Sequence, residues 1–273
     1  MADAFGQSDL LKRRYRRFGT LLAGLVYFFL LVPSLIVIPV SFGTRNEIRF
    51  PPREFSLELY QIFFSSPAWT GSLLQSLKVA LLATVLALVT AVPAAYGIVR
   101  YEFRGKKAIS LLMMSPLVIP AIVMALGLYL YLSYVHLTGT TLALVLGHTI
   151  YVTPFVIVMI AAGVQKLDAN LEFGATLMGA GPYRMLTTVV LPQLAPSILA
   201  AALFAFLISF DEVVISWFLA SATTTTLPVK MYSSIQWEIS PVIAAVSTML
   251  TVLSFVICML TASLQQSPGR SGV

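Results

Sequence analysis

The chain has 273 residues, of which 58% are hydrophobic and 10% charged, against roughly 25% charged in soluble globular domains. So apolar a surface would aggregate in water, which excludes an ordinary soluble domain and points to a bilayer as solvent. The net charge of +6 does not point to nucleic acid, because the cations lie in runs beside long apolar stretches, the pattern of loops on the inner side of a membrane.

In chain order, residues 1–17 form a basic tail carrying Lys12, Arg13, Arg14, Arg16 and Arg17. A first span follows over 18–42, too long for a signal-peptide core and without a small-residue cleavage site. Residues 43–68 make an outer loop whose middle, 55–64, has apolar residues at helical spacing and suits a short helix on the membrane surface. Span two covers 69–99 and span three 108–134, joined by a short inner loop with Arg100, Arg104, Lys106 and Lys107. A tight outer turn, His136-Leu137-Thr138-Gly139, leads to span four at 140–163. Residues 164–193 are a less apolar inner loop. Span five runs over 194–220, an outer loop over 221–241, span six over 242–264, and a polar tail over 265–273. The expected fold class is therefore all-α: a polytopic membrane protein with one domain of six transmembrane helices over 18–264 and both termini on the inside. Charge supports that orientation, since twelve basic residues fall on inner segments and four on outer ones.

Prolines 33, 39, 93, 116, 120 and 154 fall within spans. Each removes a backbone donor and kinks its helix, as suits either packing or helices lining a pathway. The single cysteine, Cys258, excludes an intrachain disulfide and a multi-thiolate metal site. No phosphate-binding glycine loop is present: Gly105-Lys106 is followed by Lys107, and Arg100 stands where the first glycine belongs. No cofactor is expected, and any ATP must be handled by a partner.

Loop 164–193 is the most informative segment. Asp168 suits a helix N-terminus, the helix runs to about Met178, and Gly179 or Gly181 can end it. Pro182 suits the first turn of a second short helix, expected to end before Leu191-Pro192. Two short helices around a glycine turn make an exposed knob that membrane anchoring does not need, and that suits docking to a cytoplasmic partner. Anchored on Leu191-Pro192, the loop reads Phe173-Gly174-Ala175 and then Gly179, with Glu172 one position earlier. It resembles the coupling loop of permease subunits of binding-protein-dependent ATP-binding-cassette importers. That family's pattern is Glu-Ala-Ala, three residues, Gly, and a later Leu-Pro. Phe173 stands where the family carries Glu, and Gly174 where it carries the first Ala. The stretch 55–64, the span from Ser76 to Arg100, and Ser209-Phe210-Asp211-Glu212-Val213-Val214 followed by Thr226-Leu227-Pro228 resemble the second permease of spermidine/putrescine importers.

The resemblance implies a type I importer permease fold in a bacterial inner membrane. It implies a second, similar permease, a pair of cytoplasmic ATPase subunits that use the ATP, and a periplasmic solute-binding protein. It implies a coupling loop that includes Glu172, Phe173, Gly174, Ala175, Gly179, Leu191 and Pro192, and no catalytic residue. The cargo it implies is a polyamine or similar cationic amino compound, with an opine, an amino acid derivative or ferric ion as alternatives. A self-sufficient secondary transporter would show inverted repeats, and none is seen.

Asp211 and Glu212 fall in the middle of span five, where a carboxylate costs at least a few kcal/mol and usually faces a polar interior. Adjacent helical residues point about 100° apart. On a continuous helix Glu212 shares its face with Ala205, Ser209 and Ser216, and Asp211 shares its face with Ile208, Ile215 and Phe218. Periodicity favours Glu212 toward a pathway; the family comparison favours Asp211. Either the pair attracts a cation or it forms a structural ion pair, with Lys78 or with a partner chain. Lys78 suits snorkelling to the outer surface, and His148 suits a helix-helix hydrogen bond.

Overall fold

The computed structural model describes residues 2–46, 48–237 and 240–265, with side chains described from residue 19 onward except at 257, 258 and 260–265. The side chain of Cys258 and the tail 266–273 lie outside the described residues. The α-helices of the described residues are α1 (Ala2–Val40), α2 (Glu58–Ser65), α3 (Pro67–Arg100), α4 (Lys106–Met114), α5 (Ala121–Tyr134), α6 (Thr141–Gln165), α7 (Ala169–Leu177), α8 (Pro182–Met185), α9 (Leu191–Phe210), α10 (Val214–Leu219), α11 (Leu227–Trp237) and α12 (Val242–Gln265).

Two compact units divide the chain, residues 1–65 with 240–253 and residues 66–239 with 254–273. In the first unit, the basic run expected as a tail is the opening of α1, whose apolar stretch Gly19–Val40 has no fully buried residue and is mostly exposed up to Ile36. Such a face is stable only against lipid or another protein. The expected surface helix at 55–64 appears as α2, with Leu59 and Phe63 buried. Ser41 shares a 2.7 Å hydrogen bond with the Tyr60 hydroxyl, and the Thr248 hydroxyl of α12 donates to the Val37 carbonyl at 3.4 Å.

The second unit is built on α3 and α6, which pack along most of their length, with α9 against both. Small residues permit this approach. Ala80, Ala83, Ala87, Ala91 and Ala95 of α3 are fully buried, and a Cβ at Gly163 of α6 would lie 2.8 Å from the Cβ of Ser197 on α9. Close backbone packing of this kind replaces the hydrophobic driving force that is absent between helices in lipid.

Among the described residues, four helical stretches are long and apolar enough to cross a membrane: Gly19–Val40, Pro67–Arg100, Thr141–Gln165 and Pro182–Phe210. Span three is not one helix. Lys106–Leu117 and Ala121–Tyr134 meet at 103°, because Pro116 and Pro120 fall together around the turn at Val118–Pro120. Pro93 and Pro154, by contrast, lie within unbroken helices. Near Pro154 the hydroxyls of Thr149 and Thr153 donate to carbonyls four residues back, and near Pro93 the Thr90 hydroxyl does the same. Where a sixth span is expected lies α12, whose described apolar part, Val242–Val256, is shorter than these crossing stretches. The outer loop expected at 221–241 contains α11, whose first amide, of Leu227, donates to the Ser76 hydroxyl of α3 at 2.8 Å.

Candidate functional site

Span five is broken at its acidic residues. α9 ends at Phe210, with the Asp211 amide still bonded to the Leu207 carbonyl, and α10 starts at Val214. Glu212 explains the break. Its Oε1 accepts from the Ile215 amide at 2.8 Å and its Oε2 from the Ser216 amide at 3.0 Å. These are two of the amides that a new helix leaves unpaired, and a carboxylate on them is favoured by both hydrogen bonding and the helix dipole. Glu212 is 8% exposed, whereas Asp211 is exposed. The face assigned to each by periodicity presumes a continuous helix, and the break removes that premise.

Asp211 lies at an open cavity of about 480 Å³ lined by Ala121, Tyr151, Leu207, Ile208, Glu212, Val213 and Val214 as well. Tyr151 begins an aromatic row, with its ring 6.0 Å from Phe155, which is 6.2 Å from Phe204. Behind the break is His148 of α6. Its Nδ1 is 2.8 Å from the Ser209 hydroxyl and its Nε2 is 2.8 Å from the Ser216 hydroxyl, with the Glu212 carboxylate at 3.7 Å. The helix-helix hydrogen bond expected of His148 is thus a double one. Among the described residues neither Asp211 nor Glu212 forms an ion pair with Lys78, which is exposed. Sequence reasoning placed Ser209 and Ser216 on one face with Glu212, and it missed Tyr151 as a wall of the same cavity.

The second candidate is the loop 164–193. Asp168 caps α7, its carboxylate accepting from the Asn170 amide at 2.9 Å. α7 ends in a paired motif in which the Ala180 amide reaches the Ala175 carbonyl and the Gly179 amide the Thr176 carbonyl, both at 3.0 Å. Gly179 has φ +83°, so the turn requires glycine for its backbone and not for space, which is open there. Glu172, one position before the residue that stands in place of the family's Glu, makes polar contacts within the chain. The Glu172 carboxylate accepts from the Tyr96 hydroxyl at 2.7 Å and from Arg100 Nε at 2.9 Å, and forms an ion pair with Arg100 Nη2 at 2.7 Å. Arg100 Nη2 also reaches the Leu167 carbonyl at 2.9 Å. Tyr96 and Arg100 are one turn apart at the end of α3, a spacing from which this anchor was readable. Ala175 is buried beside it, while Phe173 is exposed and Gly174 partly so.

The second short helix does not end before Leu191-Pro192. α8 passes through a π turn, Leu186–Val190, directly into α9. The wider turn suits Pro192, which has no amide to donate. Side chains serve nearby carbonyls: Thr187 donates to Tyr183, Thr188 to Arg184 and Gln193 to Val189. Leu191 and Pro192 therefore lie inside a helix that runs from the loop to the break at Asp211.

Residues 83–267 match the family described as the inner membrane component of binding-protein-dependent transport systems. The chain belongs to that family. The spermidine/putrescine transport system permease protein PotC of Haemophilus influenzae is 28% identical over 236 residues, covering 86% of this chain and 91% of that protein. The putrescine transport system permease protein PotI of Escherichia coli is 29% identical over 231 residues, covering 82% of each. In fold, this permease resembles a chain of a bacterial ABC transporter involved in the import of the acidic polysaccharide alginate, with a TM-score of 0.72 at 15% identity, over 93% of this chain and 97% of that one. It also resembles a chain of the MetNI methionine ABC transporter, with a TM-score of 0.59 at 17% identity, over 73% and 95%. The permease is thus an all-α, multi-pass membrane protein with the type I importer fold, and a transport subunit of an ABC importer rather than an enzyme.

Proposed function

We propose that this permease forms half of the pathway of an importer for a polyamine or a similar cationic amino compound, and that Asp211 lines the pathway. The observation that carries this is the exposed carboxylate of Asp211 beside an open cavity, where span five is broken. A carboxylate at membrane depth is stable where it faces a polar interior, and a cation crossing there needs an acceptor for its charge. The PotC and PotI names support such a cargo. The fold alone does not select it, since the same fold serves an importer of an acidic polysaccharide.

The bacterial inner membrane holds the subunit with both termini and loop 164–193 in the cytoplasm. A second permease completes the pathway, a pair of ATPase subunits docks on the loop and uses the ATP, and a periplasmic binding protein delivers cargo. The subunit itself needs no cofactor. The loop supports the docking by inverting the usual pattern: its one partly buried acid, Glu172, points inward, while Leu171, Phe173, Leu177, Met178 and Tyr183 are exposed. A helix meant only for water does the reverse.

The test is uptake of spermidine and putrescine by the reconstituted complex. Asp211→Asn should cut uptake at low cargo concentration about tenfold, or roughly 1.4 kcal/mol, with assembly intact and cargo binding to the periplasmic protein unchanged. Normal uptake by that variant would remove Asp211 from the mechanism.

A further inference from the structure

His148 is 1% exposed, and both its ring nitrogens are engaged by hydroxyls on the two sides of the break. Ser209 is in the last turn of α9 and Ser216 in the first turn of α10. One imidazole thus bonds, at 2.8 Å on each side, a hydroxyl of either half of the broken span. Its neighbour Gly147 lets α10 come close: an added Cβ would lie 2.8 Å from Leu219 Cδ1 and 2.9 Å from Ile215 Cγ2. Ser209, Ser216 and Glu212 are all buried, and Asp211 is the exposed polar residue between the two tethered serines. Neither hydroxyl is needed for packing, since a small apolar residue would fill the same space. What the three polar side chains add is a fixed break.

We propose that His148 is a positioning residue for transport, latching both halves of the broken span so that the Asp211 carboxylate faces the cavity. This rests on Asp211 lining the pathway. If the latch acts through Asp211, its removal matters only while that carboxylate is present. Two residues acting through one another give non-additive losses, whereas independent structural damage adds.

The experiment measures spermidine uptake by reconstituted complexes carrying His148→Ala, Asp211→Asn or both. His148→Ala should raise the KM about tenfold with the maximal rate within twofold. In the Asp211→Asn background it should change neither by more than twofold. Two further variants guard against simple misfolding. His148→Asn places an amide nitrogen near the Nδ1 position and keeps the tie to Ser209; His148→Gln reaches the Nε2 position and keeps the tie to Ser216. Each should assemble normally and give an intermediate KM. A wild-type KM in either of these, or a loss in the double variant equal to the product of the single losses, would overturn the latch and leave the role of Asp211 standing. Normal uptake by Asp211→Asn alone would instead remove the acidic pathway, and the latch with it.

Discussion

Replacing Arg100 with methionine tests whether the anchor at Glu172 holds α7 to the end of α3. The arginine donates one hydrogen bond to Glu172, with which it also forms an ion pair, and one to the Leu167 carbonyl, so it ties the end of α3 to α7 and to the turn before it. Its side chain is 18% exposed and that of Glu172 13%, so the pair lies between two regimes. A surface pair contributes about 0–1 kcal/mol, and losing one partner of a fully buried pair costs about 3–5 kcal/mol. Hydrogen bonds to charged groups contribute about 1.5–3 kcal/mol. Arg100→Met keeps most of the aliphatic volume and leaves Glu172 with only the Tyr96 hydroxyl, at a cost of about 2–3 kcal/mol on local closure. Free energies of that size make opening of α7 about 30- to 150-fold more frequent. Hydrogen exchange of the peptide spanning 168–178 in the assembled complex reads this directly. Glu172→Gln should show a smaller increase, and Arg100→Met should add little to it. Exchange unchanged within about threefold in Arg100→Met would refute the anchor.

Glu212→Gln weakens the hold on two amides and should lower the thermal stability of the complex by an amount matching about 1.5–3 kcal/mol, while Asp211→Asn leaves stability unchanged; equal melting of the two variants would contradict the separate tasks assigned to them. At Gly179 the φ of +83° predicts a cost of about 1–2 kcal/mol for alanine and a smaller one for asparagine, measured as ATPase co-purification with the permease. On a Cys258→Ala background, Thr223→Cys, exposed beside the buried Thr224, should react with an impermeant maleimide added to intact spheroplasts, and Met178→Cys only after the membrane is opened; the reverse pattern would invert the topology.

Local signals account for what was legible. Asp168, Gly179 and Pro182 act on their own backbone within a few residues, and each is found where its chemistry predicts. The break at Asp211 was not legible, because periodicity extends a helix until a breaker interrupts it, and neither acid is a breaker by propensity alone. The interruption depends on Glu212 bonding forward to Ile215 and Ser216 and on a histidine more than sixty residues earlier in the chain. Leu191-Pro192 misled in the other direction. A proline usually closes a helix at the preceding residue, but the π turn of 186–190 carries the chain through it. At Pro116 and Pro120 the sequence suggested kinks within one span, and two prolines close together produce a right-angle bend instead.

The engagement of Glu212 with backbone amides has a consequence for valence. Among the described residues, Asp211 carries the exposed carboxylate at the break, while that of Glu212 is held by amides. An alkyl diamine carries two positive charges at neutral pH and a triamine three, since isolated amines titrate near 10. One anion neutralises one of them. On the proposed pathway the rest would be met by a second permease or by ring faces such as that of Tyr151, at about 0.5–2 kcal/mol each. Two identical chains would present two carboxylates and match a diamine, whereas a dissimilar partner with two acids at the same depth would match a triamine. The charge of the preferred cargo would then report how many acids the other half of the proposed pathway contributes.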